Sequence, residues 1–284
     1  MRNIGIIPNL TKDDGTLTEL IVKMAKNYGM ECYITYDIYD KIGVGTPLID
    51  DEFYEICEAI MIIGGDGTLL RASTKASKYD IPVIGINMGR LGFLTAVESS
   101  EIDIALKCLR EDTYNLESRM MLRAEVIRDN RSLGVMTALN DIAITKGSYA
   151  RLIHLSAYIN GEFVNFYPAD GILVSSPTGS TAYSLSAGGP IVNPNMSCLL
   201  LTPICPHMLN IRPIITSADD EIKVVIDGDN DGDILLTLDG QEGTKLLEGD
   251  EIIVKKNKKS TKLIRIGEPD FFDVLRNKLS ERKP

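Results

Sequence analysis

Ala59-Ile60-Met61-Ile62-Ile63-Gly64-Gly65-Asp66-Gly67-Thr68 decides how the chain is read. Five apolar residues in a row suit a strand buried on both faces. The glycines that follow leave backbone N–H groups uncovered by side chains, so phosphate oxygens can approach them. A helix beginning near Thr68 adds the positive end of its dipole at the same place. Asp66 stands in the middle of this nest. A carboxylate there repels an anion unless it holds Mg2+ or takes a proton, and that combination outlines a kinase site.

The flanking segments place the loop in a fold. Residues 3–7, 32–35 and 83–86 read as strands, and Leu17, Leu20, Ile21, Met24, Ala25 and Tyr28 share one helix face, with Gly29 as the C-cap glycine. Strands separated by helices imply a parallel sheet that binds ligands at its C-terminal strand ends, where the 64–68 loop lies. After about Arg119 the pattern becomes alternating: Leu122/Ala124/Val126, Ile222/Val224/Ile226 and Ile234/Leu236/Leu238. Asn160-Gly161 signals a hairpin, and one helix is expected from near Ser180 to Gly188-Gly189-Pro190. The expected organisation is an α/β domain over 1–118, a β-rich domain over 119–266, and a C-terminal helix over 267–284. That helix, with Phe272, Leu275 and Leu279 on one side, packs on the first domain or on a partner.

Composition narrows the function classes. The 284 residues carry a formal net charge of −10, which argues against a general nucleic-acid binder. No apolar run reaches the roughly 18 residues that span a bilayer, and the N-terminus lacks a signal-peptide pattern, so a cytoplasmic protein is expected. Five scattered cysteines suit reduced thiols, and Cys198, Cys205 and His207 match no zinc spacing. The lysine run at 255–259 reads as a solvated hairpin turn. Residues 227–233 imitate the start of a Ca2+ loop, but its twelfth position is Leu238, so an acidic hairpin turn is expected. There is no GxxxxGK[ST], and Gly85, Gly89 and Gly92 do not form GxGxxG.

Further motifs follow in order: residues 85–95, Gly-Ile-Asn-Met-Gly-Arg-Leu-Gly-Phe-Leu-Thr; Asn140-Asp141; residues 170–190, from Asp-Gly-Ile-Leu-Val-Ser-Ser-Pro-Thr-Gly-Ser-Thr-Ala-Tyr to Gly-Gly-Pro; and the Asp239-Gly240-Gln241 turn. Together with the glycine loop they resemble the NAD kinase family, which phosphorylates the adenosine-ribose 2′-hydroxyl of NAD to give NADP. The resemblance runs from the first strand to Phe271-Phe272. It implies a phosphofructokinase-like parallel sheet in the first domain, ATP or polyphosphate as donor, Mg2+ or another divalent metal, and no tightly bound organic cofactor. It also implies a homodimer or homotetramer, with the NAD site completed between subunits.

By the same resemblance, Asp66 is the general base for the hydroxyl or helps hold Mg2+. Gly64, Gly65, Gly67, Thr68 and Arg71 hold the donor phosphates, with Asp66 and Gly67 also at the NAD. Phe93 covers an adenine face, and Asn140 and Asp141 meet ribose hydroxyls. Asp170 lies near the nicotinamide end, and Thr178, Thr181, Ala182, Tyr183 and Ser186 form the adenine and ribose pocket. Two positions depart from common family residues: Asp141 stands where many relatives have Glu, and Pro168 where bacterial relatives have a basic residue or Gly. The second bears on donor choice. The rival readings are a lipid kinase of the same superfamily and a non-catalytic NAD(P)-binding regulator.

Overall fold

A computed structural model describes residues 1–89, 92–95, 97–147, 151–228, 230, 232–241, 243–267 and 271–280. The chain forms two compact units, residues 1–118 with 261–284, and residues 119–260.

The first unit begins with β1 (Asn3–Pro8), α1 (Thr16–Asn27), β2 (Glu31–Thr35), α2 (Tyr36–Ile42), β3 (Thr46–Leu48) and α3 (Asp50–Ile56). It continues with β4 (Ala59–Gly64), α4 (Asp66–Lys78), β5 (Val83–Asn87), β6 (Val97–Glu98) and α5 (Ile102–Glu111). The strands pair in parallel in the order β5-β4-β1-β2-β3, with β6 beside β5. All six residues of β4 are buried, as a central strand covered on both faces requires. Ile4, Ile6, Met61, Ile63, Ile84 and Ile86 pack with Ile21 and Ala25 of α1 and Leu106 and Leu109 of α5 in one core. Gly29, at φ +65, ends α1 in the left-handed conformation that favours glycine. Successive strands run from β1 outward to β2 and β3, and the chain then returns to β4 on the other side of β1. This reversal opens a crevice at the C-terminal ends of β1 and β4, the usual ligand position in such sheets.

The second unit holds most of β7 (Asn115–Arg128), then β8 (Arg131–Ala138), β9 (Asp141–Lys146), β10 (Ile153–Ile159), β11 (Glu162–Ala169) and β12 (Gly171–Ser175). After a 3-10 turn (Thr178–Thr181) come α6 (Tyr183–Ser186), β13 (Cys198–Ile204), β14 (Ile214–Ser217), β15 (Ile222–Ile226), β16 (Ile234–Leu238), β17 (Thr244–Leu246) and β18 (Glu251–Arg265). One sheet runs β14-β13-β12-β9-β16-β17, and β11-β10-β15-β18 forms the other layer. Leu122, Val126, Leu155, Val224 and Ile252 share a core with Ile144, Ile172, Leu199 and Leu236 of the six-stranded sheet. The end of β18 belongs to the first unit, where Leu263 pairs in parallel with Val83. The final helix, α7 (Phe271–Ser280), also belongs there, with Phe271 and Phe93 ring centroids 6.1 Å apart.

Three local expectations fail. The helix expected from Ser180 is a 3-10 turn and a four-residue helix broken at Ala182, because the Ser180 hydroxyl is tied to Val192 and Gly179 lies against Asn140. The 255–259 lysines do not turn. They are the exposed middle of β18, between buried Ile252/Val254 and Thr261/Leu263, which keep the strand running. The acidic stretch after Ile226 joins β15 to β16, which lie in different sheets, so it is no hairpin; Asp229 and Asp231 fall outside the described residues. Among the described residues there is no His, Cys, Asp and Glu cluster able to hold a metal, and all five cysteines are free. No described helix is long and apolar enough to cross a membrane.

Candidate active site

The glycine loop sits at the crevice between β1 and β4. Asn9 ties the two strand ends together: its N–H donates to Ile63 O (2.8 Å) and its side-chain amide to Thr68 Oγ1 (3.0 Å). Gly64 is required by packing, since a Cβ there would lie 2.6 Å from Thr68 Oγ1. Gly65 and Gly67 are different. A Cβ on Gly67 meets nothing within 4 Å, and one on Gly65 meets only Lys12 Nζ at 3.9 Å. Gly67 lies in the first turn of α4, where the Asp66 and Gly67 N–H groups precede the helical ladder and have no side-chain cap, while Thr68 N–H donates to Gly65 O (3.0 Å). The loop therefore offers uncovered N–H donors, a helix N-terminus and a lysine around one open space. Lys12 also lines a cleft of about 430 Å³ with Asp14, Thr16 and Met88.

Asp66 is held by the residues after β5. Its Oδ1 accepts from Leu94 N–H (3.1 Å), Thr95 N–H (3.1 Å) and the Thr95 hydroxyl (3.1 Å), and its Oδ2 from Phe93 N–H (2.9 Å). A carboxylate oxygen offers about two lone pairs, so Oδ1 is saturated while Oδ2 can accept one more donor. Gly92 makes this possible, because a Cβ there would lie 1.9 Å from Asp66 Oδ1. Arg265 grips the other side of the segment, donating to Leu94 O (3.0 Å) and pairing with Glu117 at 2.6 Å. Lys278 of α7 stands 5.1 Å from the Phe93 ring centroid, so the ring expected at an adenine face meets the C-terminal helix. Arg71 is exposed on α4, one turn beyond the glycines.

The second unit builds a shelf from Leu139, Asn140 and Asp141. The Asp239 carboxylate accepts from all three N–H groups: Leu139 at 2.9 Å, Asn140 at 2.7 Å and Asp141 at 3.1 Å. Asn140 O accepts from Ser176 N–H (2.9 Å), and the Ser176 hydroxyl donates to Leu139 O (2.5 Å). Gly179 lies against this main chain so closely that a Cβ would sit 2.0 Å from Asn140 O. With its backbone fixed on both edges, Asn140 keeps its side-chain amide uncommitted among the described residues. Asp141 is only 4% exposed. Burial pushes its carboxyl up to about 7, with the Asp239 charge adding to the effect.

The remaining expected residues lie around that shelf. Burial raises the Tyr183 phenol, and the charges of Cys205, Asp141 and Asp170 raise it further, which groups these side chains. Asp170 pairs with Lys146 at 2.7 Å. Thr178 is buried with its hydroxyl toward Arg119 (3.4 Å), and Thr181 bonds back to Thr178 O (3.3 Å), so both stiffen the turn. Ala182 is half-buried and Ser186 exposed, at the two ends of α6. The sequence reading missed Asn9, Lys12, Ser176, Asp239 and Arg265. Asp239 and Ser176 lay in noted motifs, the 239–241 turn and the 170–190 segment, but without an assigned role; Asn9, Lys12 and Arg265 act through contacts distant in the chain.

Known proteins place the chain in a family. Residues 20–114 match the ATP-NAD kinase N-terminal domain, and residues 139–266 the ATP-NAD kinase C-terminal domain. The chain is 40% identical over 282 residues to the NAD kinase of Natranaerobius thermophilus, covering 99% of this chain and 98% of that one. It is 42% identical over 286 residues to the NAD kinase of a Thermoanaerobacter species, covering 99% and 100%. Among solved structures, yeast NADH kinase complexed with NADH superposes with a TM-score of 0.88 at 26% identity, covering 100% of this chain and 89% of that one. An Archaeoglobus fulgidus NAD kinase in complex with ATP gives 0.74 at 25% identity, covering 98% and 97%. The chain belongs to the NAD kinase family.

Proposed function

We propose that the chain transfers the γ-phosphoryl group of ATP to the 2′-hydroxyl of the adenosine ribose of NAD, giving NADP and ADP. The observation that carries this reading is the open glycine loop beside a carboxylate with one oxygen saturated and the other able to accept. Donor phosphates approach over Gly65 and Gly67, and Lys12 offsets their charge. Asp66 Oδ2 takes the proton of the attacking hydroxyl as the new O–P bond forms and the bond to ADP breaks. A carboxylate is a weak base, so most of the rate comes from positioning and charge neutralisation. Asn140 and Asp141 hold the ribose, with Tyr183, Thr181, Ala182 and Ser186 around the dinucleotide.

The residues suit a divalent cation held chiefly by the donor phosphates. Four donors already occupy Asp66. Such a cation, when bound, would neutralise negative charge on the donor phosphates. Polyphosphate is the alternative donor, NADH the alternative acceptor, and a homodimer or homotetramer the working assembly.

The test incubates purified protein with Mg2+, NAD or NADH, and ATP or polyphosphate, and follows product with an NADP-specific dehydrogenase. NADP formed from ATP supports the proposal. NAD binding without product from either donor would favour a regulator.

A further inference from the structure

The Asp141–Asp239 pair is a feature that nucleotide binding alone does not require. Two acidic side chains meet at the end of β16, where Asp239 N–H donates to Asp141 O at 3.0 Å and Asp141 N–H donates to Asp239 Oδ1 at 3.1 Å. Their surroundings are unequal. Burial pushes the Asp239 carboxyl up as well, but three main-chain N–H groups donate to it and favour its charged form. The Asp141 side chain receives no hydrogen bond among the described residues and is almost wholly buried. Neighbouring buried carboxylates resist ionising together, so the single charge rests on Asp239 and the proton on Asp141.

We propose that Asp239 is a positioning residue that fixes the Asn140–Asp141 shelf and keeps Asp141 a neutral acid, so that Asp141 donates a hydrogen bond to an oxygen of the bound dinucleotide. This rests on the NAD-binding reading above. The charged and titratable groups around Asp141 are Asp239 after β16, Tyr183 on α6 with Cys205 after β13, and Asp170 with its partner Lys146 before β12 and at the end of β9. The other acidic, phenolic and thiol neighbours add no positive charge, and Lys146 is committed to Asp170. Asp141 therefore has no cation to draw it into the charged form.

The experiment is calorimetric titration of NAD into the full chain from pH 6 to 9, with NADP formation recorded separately. Ionisation of Asp141 removes the donated bond, so Kd is flat at low pH and rises above about pH 7 to a plateau at least about fivefold weaker, the scale of one neutral hydrogen bond. Asp239→Asn removes the neighbouring charge and moves the onset of that rise to lower pH, a change that a purely structural defect would not produce. Asp141→Asn supplies a permanent neutral donor, so its Kd is weaker than the wild type at pH 6.5 by up to about fivefold, the scale of one neutral hydrogen bond, but stays flat to pH 9. A wild-type Kd independent of pH, or an Asp239→Asn loss of equal size at every pH, would overturn the proposal. Absence of NAD binding at every pH overturns both readings, whereas pH-dependent binding without NADP overturns only the kinase reading.

Discussion

Gly92→Ala and Gly67→Ala add the same methyl group to glycines on opposite sides of Asp66, with opposite expected effects on stability. At Gly92 the new Cβ lies 1.9 Å from Asp66 Oδ1, 2.5 Å from Thr95 Oγ1 and 2.6 Å from Asp66 Cγ, so the carboxylate must leave. Its departure strips acceptors from the N–H groups of Phe93, Leu94 and Thr95, of which Leu94 and Thr95 are buried. Unpaired buried donors cost about 1–3 kcal/mol each, so for these two we expect a loss of about 2–6 kcal/mol. Misplacing a catalytic oxygen by about 1 Å costs on the order of 100-fold in rate, and turnover falls at least that far. At Gly67 the methyl enters open space within a helix, and the protein gains up to about 1 kcal/mol from helix propensity. Its turnover nevertheless falls, because the methyl occupies the approach of the donor phosphates. Urea unfolding and kcat with KM for ATP measure both effects. A Gly67→Ala enzyme with wild-type kinetics would refute the phosphate approach, and a stable, active Gly92→Ala enzyme would refute the clamp on Asp66.

Three further outcomes are expected. Lys12→Ala raises the KM for ATP by about tenfold, the scale of one charge-assisted contact, with KM for NAD little changed; steady-state kinetics decides it. The Asp141 carboxyl, raised from 3.8 to about 7, binds a proton on folding between those values, so its contribution to stability falls as pH rises through that window. At pH 8 the Asp141→Asn protein should therefore be more stable by up to about 4 kcal/mol, read by urea unfolding at pH 5.5 and 8. Asp250 is fully buried, and although burial pushes its carboxyl up, the two-pronged bond from Arg128 (2.8 and 2.7 Å) and the Leu247 N–H hold it below the usual range. Asp250→Ala leaves the partly exposed Arg128 and the Leu247 N–H without that partner and costs about 1–3 kcal/mol, seen as a lower urea midpoint with no direct effect on the site.

Some of this was legible from local pattern. An unbroken apolar run followed by glycines carries its own burial and its own loop geometry, so β4, its loop and its place at a strand end were readable within ten residues. The reading erred where tertiary contacts overrode local preference. The lysine run reads locally as a turn, yet the buried residues on both sides of it hold β18 extended. The helix expected at Ser180 is cut short because Gly179 and Ser180 are engaged by Asn140 and Val192. The contacts that support the site were not readable. Asp66 binds residues 27 to 29 positions away, and Asp239 binds residues 98 to 100 positions away. No periodicity encodes such distances.

Label transfer tests the central claim most directly. Wild-type and Asp66→Asn proteins are given NAD, Mg2+ and ATP labelled in its γ-phosphoryl group, and the labelled products are separated and identified. The account predicts label on the 2′-oxygen of the adenosine ribose with the wild type. With Asp66→Asn it predicts nearly unchanged NAD binding and loss of most of that transfer, since an amide cannot take the proton and sets an N–H group against Phe93 N–H. Label released only as free phosphate, or transfer undiminished in the variant, would contradict it.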